Sequence, residues 1–286
     1  MAANDRLAII AGSGSLPLHV ALAARAAGEN PFIIRLRDDS DVDWSDFDND
    51  YITIGDVQRL SSIVKKNAIG RVVMSGAVSK RPEWNEIRPT LRMIKSLPTI
   101  IRTVVSGGDD AVLKMVATLL EAHGLKVIGA HEIAPDILMT AGPLTKIAPN
   151  DDDLKDIKAG IKAAHTLGVL DIGQGGVSVG GRIVALEGAE GTDQMLERVA
   201  SLRVQGRISQ RRKGVLVKLC KPQQDVRADL PTVGVSTVEN AKRAGLSGIA
   251  VEAGRAFILN REDMLAAANN LGLFVYGIDP SEIGVD

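Results

Sequence analysis

Short apolar runs rich in β-formers alternate with helix-like stretches through the first half of this chain, and that alternation limits the architectures open to it. "RLAIIA" (6–11) is followed by a glycine turn, "GSGS", and by the Ala/Leu-rich "LPLHVALAARAAG" (16–28), which Gly28 closes. "PFIIRL" (31–36), "YITIG" (51–55) and "RVVMSG" (71–76) read as further strands, the last two flanking the helical "VQRLSSIVKKNA". An aspartate-rich loop, "RDDSDVDWSDFDND", separates the second strand from the third. Parallel strands need a crossover long enough to hold a helix, so this pattern predicts a parallel sheet with helices on its faces. Residues 86–123 read as mostly helical, and "LKVIGA" (125–130) as the last strand of the unit.

The texture changes near "AGPLTKIAPNDDD", where two prolines, a glycine and an acidic run mark a boundary. We divide the chain into a domain over 1–140, a linker over 141–151 and a domain over 152–286. The second half starts with a helix (152–167) and continues with "GGVSVGGRIVALEG" (175–188), which alternates like a hairpin around a glycine turn. A helix over about 192–205, the strand "KGVLVKL" (213–219) and further strand and helix runs complete a second α/β domain with a mixed sheet.

Composition narrows the function classes. The 286 residues are 45% hydrophobic and 24% charged, ordinary for a soluble globular protein. A net charge of −1 offers no field to draw nucleic acid or an anionic membrane, and an aromatic share of 3% is poor in base-stacking platforms. One cysteine excludes an internal disulfide. No signal-peptide pattern opens the sequence and no apolar run is long enough to span a bilayer, so a cytoplasmic location is expected.

Four segments carry candidate chemistry. In "AIIAGSGSLP" (8–17), Gly12 and Gly14 let the backbone approach a ligand, and the N–H groups of the following helix favour an anion; a plain βα turn is the simpler alternative. Pro17 replaces the third glycine of the dinucleotide fingerprint, which speaks for a nucleotide or its phosphates but against NAD. "MSGAVSKRPEW" (74–84) lies past another strand end, so Ser75, Gly76 and Lys80 share the same crevice, unless Lys80 and Arg81 are only solvated surface charge. The basic, amphipathic stretch 80–105 packs on its own core or lies on a membrane. "ALEGAEGTDQML" (185–196) gathers Glu187, Glu190 and Asp193 before a helix that Thr192 can cap; the carboxylates suit either the helix dipole or Mg²⁺.

The fourth segment, "KPQQDVRADLPTVG" (221–234), sets Asp225, Arg227 and Asp229 between two prolines. If extended, it places those three side chains on one face, fit to bind Mg²⁺, orient a water and hold a phosphate, or else to form an exposed ion-pair triplet. The four histidines are scattered, which disfavours a zinc site, and Cys220 reads as a buried small residue. "RVQGRISQRRKG" (203–214) reads as a solvated basic helix end or a contact for anionic lipid.

In this order and at these spacings, "IAGSGSLP", "GAVSKRPEW", "GGDDAVL", "VALEGAEGTDQML" and "KPQQDVRADLPTVGVSTVENAKRAGLSGIAVEAG" resemble the LpxI family over essentially the whole chain. The resemblance implies Mg²⁺-dependent hydrolysis of UDP-2,3-diacylglucosamine to UMP and 2,3-diacylglucosamine 1-phosphate (lipid X) in lipid A synthesis, with water attacking the α-phosphorus. It implies a Rossmann-like N-terminal domain that binds UDP, a catalytic C-terminal domain peculiar to the family, a diacyl chamber between them and a homodimer. Peripheral contact with the cytoplasmic face of the inner membrane is expected with it. Within that frame Asp225, the aspartate of Q-D-x-R-x-D, binds Mg²⁺ or orients the attacking water. Asp193 and Glu190 are its expected metal partners, and Arg227 and Lys221 steady the phosphates. Gly12, Ser13, Gly14 and Ser15 hold the UDP portion, with Gly76, Lys80 and Thr192 also on the substrate. A non-catalytic nucleotide-sugar binder and a lipid-binding scaffold remain the rival readings; an NAD(P)-dependent oxidoreductase is disfavoured by Pro17.

Overall fold

Near-continuous apolar runs give the first strands two buried faces. They form a five-stranded, all-parallel sheet in the order β3–β2–β1–β4–β5, from β1 (Arg6–Ala11), β2 (Phe32–Leu36), β3 (Asn49–Ile52), β4 (Ile69–Ser75) and β5 (Lys126–Val127). On one face Ala8, Ile34, Leu36 and Val72 pack with Ile63 of α2 (Val57–Lys66) and with Ala117 and Leu120 of α3 (Asp109–Ala122). On the other, α1 (Leu16–Ala26) packs against β1 and β4 through fully buried Val20, Ala21 and Ala24. Alanines on that stripe let the helix lie close to the sheet. Asp56 caps α2 by accepting the Arg59 N–H, and Lys65 and Lys66 complement the helix dipole at its far end. The strand order reverses between β1 and β4, so the carboxyl ends of these two strands form a topological switch point.

This computed structural model describes residues 5–37, 39, 42–78, 100, 102–103 and 108–284. Lys80, Arg81 and nearly all of the amphipathic stretch 80–105 lie outside the described residues. Contacts divide the chain into two units, Met1–Asp136 with Asp225–Asp229, and Ile137–Gln224 with Leu230–Asp286. The first unit is therefore discontinuous, since five of its residues come from far along the sequence.

A short helix, α4 (Ala130–Ile133), ends the main part of the first unit. The second unit holds a mixed six-stranded sheet in the order β6–β13–β11–β9–β7–β8. Its strands are β6 (Gly142–Pro143), β7 (Gly175–Val179), β8 (Arg182–Leu186), β9 (Val215–Lys218), β11 (Gly248–Glu252) and β13 (Phe274–Ile278), while β10 (Thr232–Val233) and β12 (Phe257–Ile258) pair separately. β9, β11 and β13 run parallel, and β6, in the stretch read as linker, adds antiparallel to β13. α5 (Asp151–Val169) covers one face through Ile157, Ile161 and Ala164. α6 (Gly191–Val204), α7 (Val235–Arg243) and α8 (Arg261–Leu271) cover the other with Met195, Val238 and Met264.

Local chemistry explains these elements. Asn150 caps α5, whose first turn carries Asp151, Asp152 and Asp153. The β7–β8 hairpin turns through Gly180 (φ 63°) and Gly181 (φ 77°), as a two-residue turn with two positive φ angles requires. The buried Asp156 carboxylate accepts from the Ser178 hydroxyl and from the N–H groups of Gly180 and Gly181, which fixes that turn to α5.

Candidate active site

At the switch point of the first unit, the loops after β1 and β4 are zipped together. Ser13 N–H donates to the Ala77 carbonyl at 2.8 Å, Ala77 N–H returns to Ser13 at 3.0 Å, and Gly12 N–H donates to Ser75 at 2.9 Å. Side chains at either glycine would break this contact. A Cβ on Gly12 would run into the Ala77 carbonyl oxygen, and one on Gly76 into Ser13, Pro17 and Gly12. Gly12 and Gly76 are thus required by the approach of the two loops. Gly14 differs: its φ is 88° and a Cβ there would meet nothing within 4 Å. Gly14 and Ser15 are exposed at the start of α1, and the Ser15 side chain makes no capping bond. Of the four residues predicted to hold UDP, these two are the exposed ones, at the start of a helix whose positive end favours an anion.

The stretch 225–229 is a turn, which replaces the extended geometry predicted for it. The Asp225 carbonyl accepts from the N–H groups of Ala228 and Asp229, at 2.9 and 3.2 Å. Asp225 and Arg227 still meet, through a fork: Nε to Oδ1 at 3.0 Å and Nη2 to Oδ2 at 2.7 Å. The same guanidinium reaches Glu121 of α3 at 2.8 Å. Asp110, at the start of α3, is buried, pairs with Lys114 at 3.0 Å and lies 3.4 Å from the Asp225 backbone nitrogen. The Arg227 guanidinium bonded across Asp225 holds its carboxyl below the usual carboxylate range, against the opposing effect of burial, and Asp225 in turn raises Arg227. Asp225 is therefore an ionised acceptor at neutral pH and a weak base. Asp110 and Glu121 were not singled out in the sequence; "GGDDAVL" stood only as a family fragment.

In the second unit, Lys218 at the end of β9 is buried at 4% exposure, as is Glu187 at 6%. Thr192 joins them: Lys218 Nζ donates to its Oγ1 at 2.7 Å, and its hydroxyl donates to Glu187 Oε1 at 2.6 Å. Thr192 thus does not cap α6 with its side chain; it links an ammonium to a carboxylate. Glu187 Oε2 and Gln174 Oε1 are buried without a partner. Lys221 pairs with Asp171 at 2.6 Å, so a phosphate at Lys221 must compete with that carboxylate. Glu252, at the end of β11, accepts from the Cys220 N–H at 2.8 Å, and burial pushes its carboxyl up. Cys220 is buried beside Gln224. In the basic stretch 203–214, Arg203, in the last turn of α6, is buried and donates to the carbonyls of Ala244, Ser209 and Arg212, so its role there is structural.

The predicted metal residues are placed as follows. Asp225 lies in the first unit and has both oxygens in the Arg227 fork. Glu190 Oε1 pairs with Arg198 at 2.6 Å, and Asp193 Oδ1 accepts from Asn240 at 2.7 Å, both in the second unit. Among the described residues no three His, Cys, Asp or Glu side chains gather to hold a metal ion by themselves. Mg²⁺ is commonly held by one or two carboxylates plus substrate phosphates, and the hard oxygens of Glu190 and Asp193, three residues apart at the start of α6, fit that limited role. Among the described residues no helix is long and apolar enough to cross a membrane.

Comparison with known proteins gives matches to two family models and to one described relative. A model of the LpxI N-terminal domain matches residues 6–137, and one of the LpxI C-terminal domain matches residues 140–276. A protein of Caulobacter vibrioides described as UDP-2,3-diacylglucosamine pyrophosphatase LpxI is 40% identical over 279 residues, covering 97% of this chain and 99% of that protein.

Proposed function

Since the chain belongs to the LpxI family, we propose that it hydrolyses the pyrophosphate bond of UDP-2,3-diacylglucosamine in lipid A synthesis, releasing UMP and 2,3-diacylglucosamine 1-phosphate. The observation that carries this reading is the match to a pyrophosphatase of that description along nearly the full length of both chains. One water is consumed: its oxygen bonds to phosphorus, the bridging oxygen leaves with the other phosphate, and the released proton goes to solvent.

The residues supply position and charge. The exposed turn at Gly14 and Ser15, at the positive end of α1, receives the diphosphate. Asp225, ionised and fixed by Arg227, accepts a hydrogen bond from the water and orients it. Lys221 exchanges Asp171 for a phosphate oxygen. Thr192 exchanges its bond to Glu187 for one to a substrate oxygen, while Lys218 still donates to its hydroxyl. We further propose Mg²⁺ dependence, in which Glu190 and Asp193 would hold the ion together with substrate phosphates; Asp225 would join by releasing one arm of Arg227. When bound, Mg²⁺ neutralises charge on the phosphate oxygens. A homodimer, a cytoplasmic location and peripheral membrane contact complete the proposal.

The test is direct. Purified protein is incubated with UDP-2,3-diacylglucosamine and Mg²⁺, with and without EDTA, and UMP and lipid phosphate are followed. UMP release stopped by EDTA supports the metal-dependent hydrolase; release unaffected by EDTA removes Mg²⁺ and keeps the hydrolase. Intact substrate that stays bound favours the rival reading, a non-catalytic binder, for which the poor basicity of Asp225 is the specific argument.

A further inference from the structure

Helix α5 ends in a Schellman-type stop. The Ile172 N–H donates to the Leu167 carbonyl at 3.2 Å, the Asp171 N–H donates to Gly168 at 3.0 Å, and Asp171 has a left-handed backbone with φ 54°. The stop is hydrogen-bonded in place, yet the side chains it displays are apolar and face water: Val169 is 56% exposed, Leu170 64% and Ile172 53%. A Cβ on Gly173, the next residue, would meet the Glu187 carbonyl, so the two backbones touch. Leu186, just before Glu187 and also exposed, therefore belongs to the same rim. A single exposed aliphatic side chain is ordinary, whereas several together on an ordered segment mark an interaction surface.

The outward face of α5 continues this surface with charge of one sign. The helix buries Ile157, Ile161 and Ala164 on the sheet. Lys158, Lys162, Thr166 and Val169 recur at helical spacing, all exposed, and so form one stripe facing away from it. Among the described residues neither lysine pairs with a carboxylate. Of the acidic groups on this side, Asp152 pairs with Lys155, Asp171 with Lys221 and Glu190 with Arg198, and Asp151 lies about two turns before Lys158. At ~1.5 Å per residue the stripe runs ~16 Å from Lys158 to Val169. It is cationic along its length and apolar at its end.

Charge and apolarity in that order fit an anionic bilayer. Its headgroup layer attracts unpaired lysines, and the acyl layer beneath accepts aliphatic tips. Nucleic acid would match the lysines but leave Val169, Leu170 and Ile172 in water. With a net charge of −1 the chain exerts no long-range pull, so such binding is local. The rim also adjoins residues assigned to the reaction: Asp171 holds Lys221 at 2.6 Å, and the Gly168 carbonyl accepts from Gln223 Nε2 at 2.8 Å. Resting on the function proposed above, we propose that segment 169–172 enters an anionic bilayer with Lys158 and Lys162 on the headgroups. Docked this way, the second unit holds Lys221 close to the plane in which a diacyl substrate presents its phosphates.

Co-sedimentation of the intact protein with phosphatidylcholine vesicles, with and without phosphatidylglycerol, tests this on wild type, Leu170→Ser/Ile172→Ser and Lys158→Glu/Lys162→Glu. All four side chains are exposed, so both variants should fold; far-UV circular dichroism and thermal melting verify each, and if one unfolds the other decides. Wild type should sediment with the anionic vesicles and release them as salt rises. Each double variant should partition roughly tenfold or more weakly, and with substrate carried in those vesicles it should raise the apparent KM while kcat stays as in wild type. Wild type that ignores anionic vesicles, or folded variants that bind them as wild type does, overturn the docking. A wild-type dimer that Leu170→Ser/Ile172→Ser loses in sedimentation equilibrium, with vesicle binding unchanged, gives the rim to a second copy and overturns it too. Vesicle binding that depends on these residues, by a protein that releases no UMP, overturns the hydrolase and keeps the docking.

Discussion

Replacing Lys218 by Met tests whether the buried Lys218–Thr192–Glu187 chain is a balanced unit. Methionine keeps the unbranched stem and leaves little cavity, so the loss is mainly charge. In wild type, Lys218 Nζ lies 2.7 Å from Thr192 Oγ1 and 4.0 Å from Glu187 Oε1, with both charged residues nearly excluded from solvent. Without it, the Glu187 carboxylate stays buried with the Thr192 hydroxyl on one oxygen and no partner on the other. Breaking a buried pair from one side costs about 3–5 kcal/mol. For a urea slope of roughly 2–3 kcal/mol per molar, the midpoint measured by far-UV circular dichroism should fall by ~1–2 M. The double variant Lys218→Met/Glu187→Met removes both charges and should recover most of that loss, giving a large coupling in a double-mutant cycle. A single change costing under ~1 kcal/mol, or a double change costing the sum of the singles, would refute the reasoning.

Four further outcomes are expected. Gly12→Ala forces apart the loops after β1 and β4, and overpacking plus weakened Ser13–Ala77 bonds should cost ~2–4 kcal/mol and lower UMP affinity, read by urea unfolding and calorimetry. Asp225→Ala should keep the circular dichroism spectrum and lose UMP release at least a hundredfold; retained turnover would remove Asp225 from the mechanism. Because the folded Asp225 carboxyl sits below its unfolded value of about 3.9, the stability it contributes is present above that pH and lost as pH falls through the folded value. The urea-midpoint gap between wild type and Asp225→Asn should accordingly be full at neutral pH and close on acidification below about pH 4; a gap constant from neutral pH to strong acid would contradict it. Hydrolysis in ¹⁸O-water should place the label in UMP if the α-phosphorus is attacked, and mass spectrometry that finds it in the lipid phosphate would reverse that assignment.

Legibility in the sequence followed the range of the interactions. The strand–turn–helix "RLAIIAGSGSLPLHVALAARAAG" and the hairpin at Gly180–Gly181 were readable because periodicity and turn chemistry act over a few residues. The parallel sheet and the mixed sheet followed from the same local patterns. Asp225 and Arg227, two residues apart, were read as partners, yet in the wrong backbone shape, because the turn is held partly by partners more than 100 residues away: Asp110 lies 115 and Glu121 106 positions upstream. Lys218 inside "KGVLVKL" looked like one charge near the end of a strand; its burial beside Thr192 and Glu187 depends on β7, β8 and β9 lying side by side.

The discontinuity of the first unit bears on how such chains can be recombined. The two family models meet between residues 137 and 140, which looks like a natural seam for exchanging halves between relatives. The physical seam is elsewhere, since Asp225–Asp229 belong with Met1–Asp136. A hybrid joined at the sequence seam would set one parent's Arg227 against the other parent's helix residues at 110 and 121. Compatibility would then hinge on five residues that a comparison of the two halves assigns to the wrong parent, and grafting those five along with the first half should restore the match.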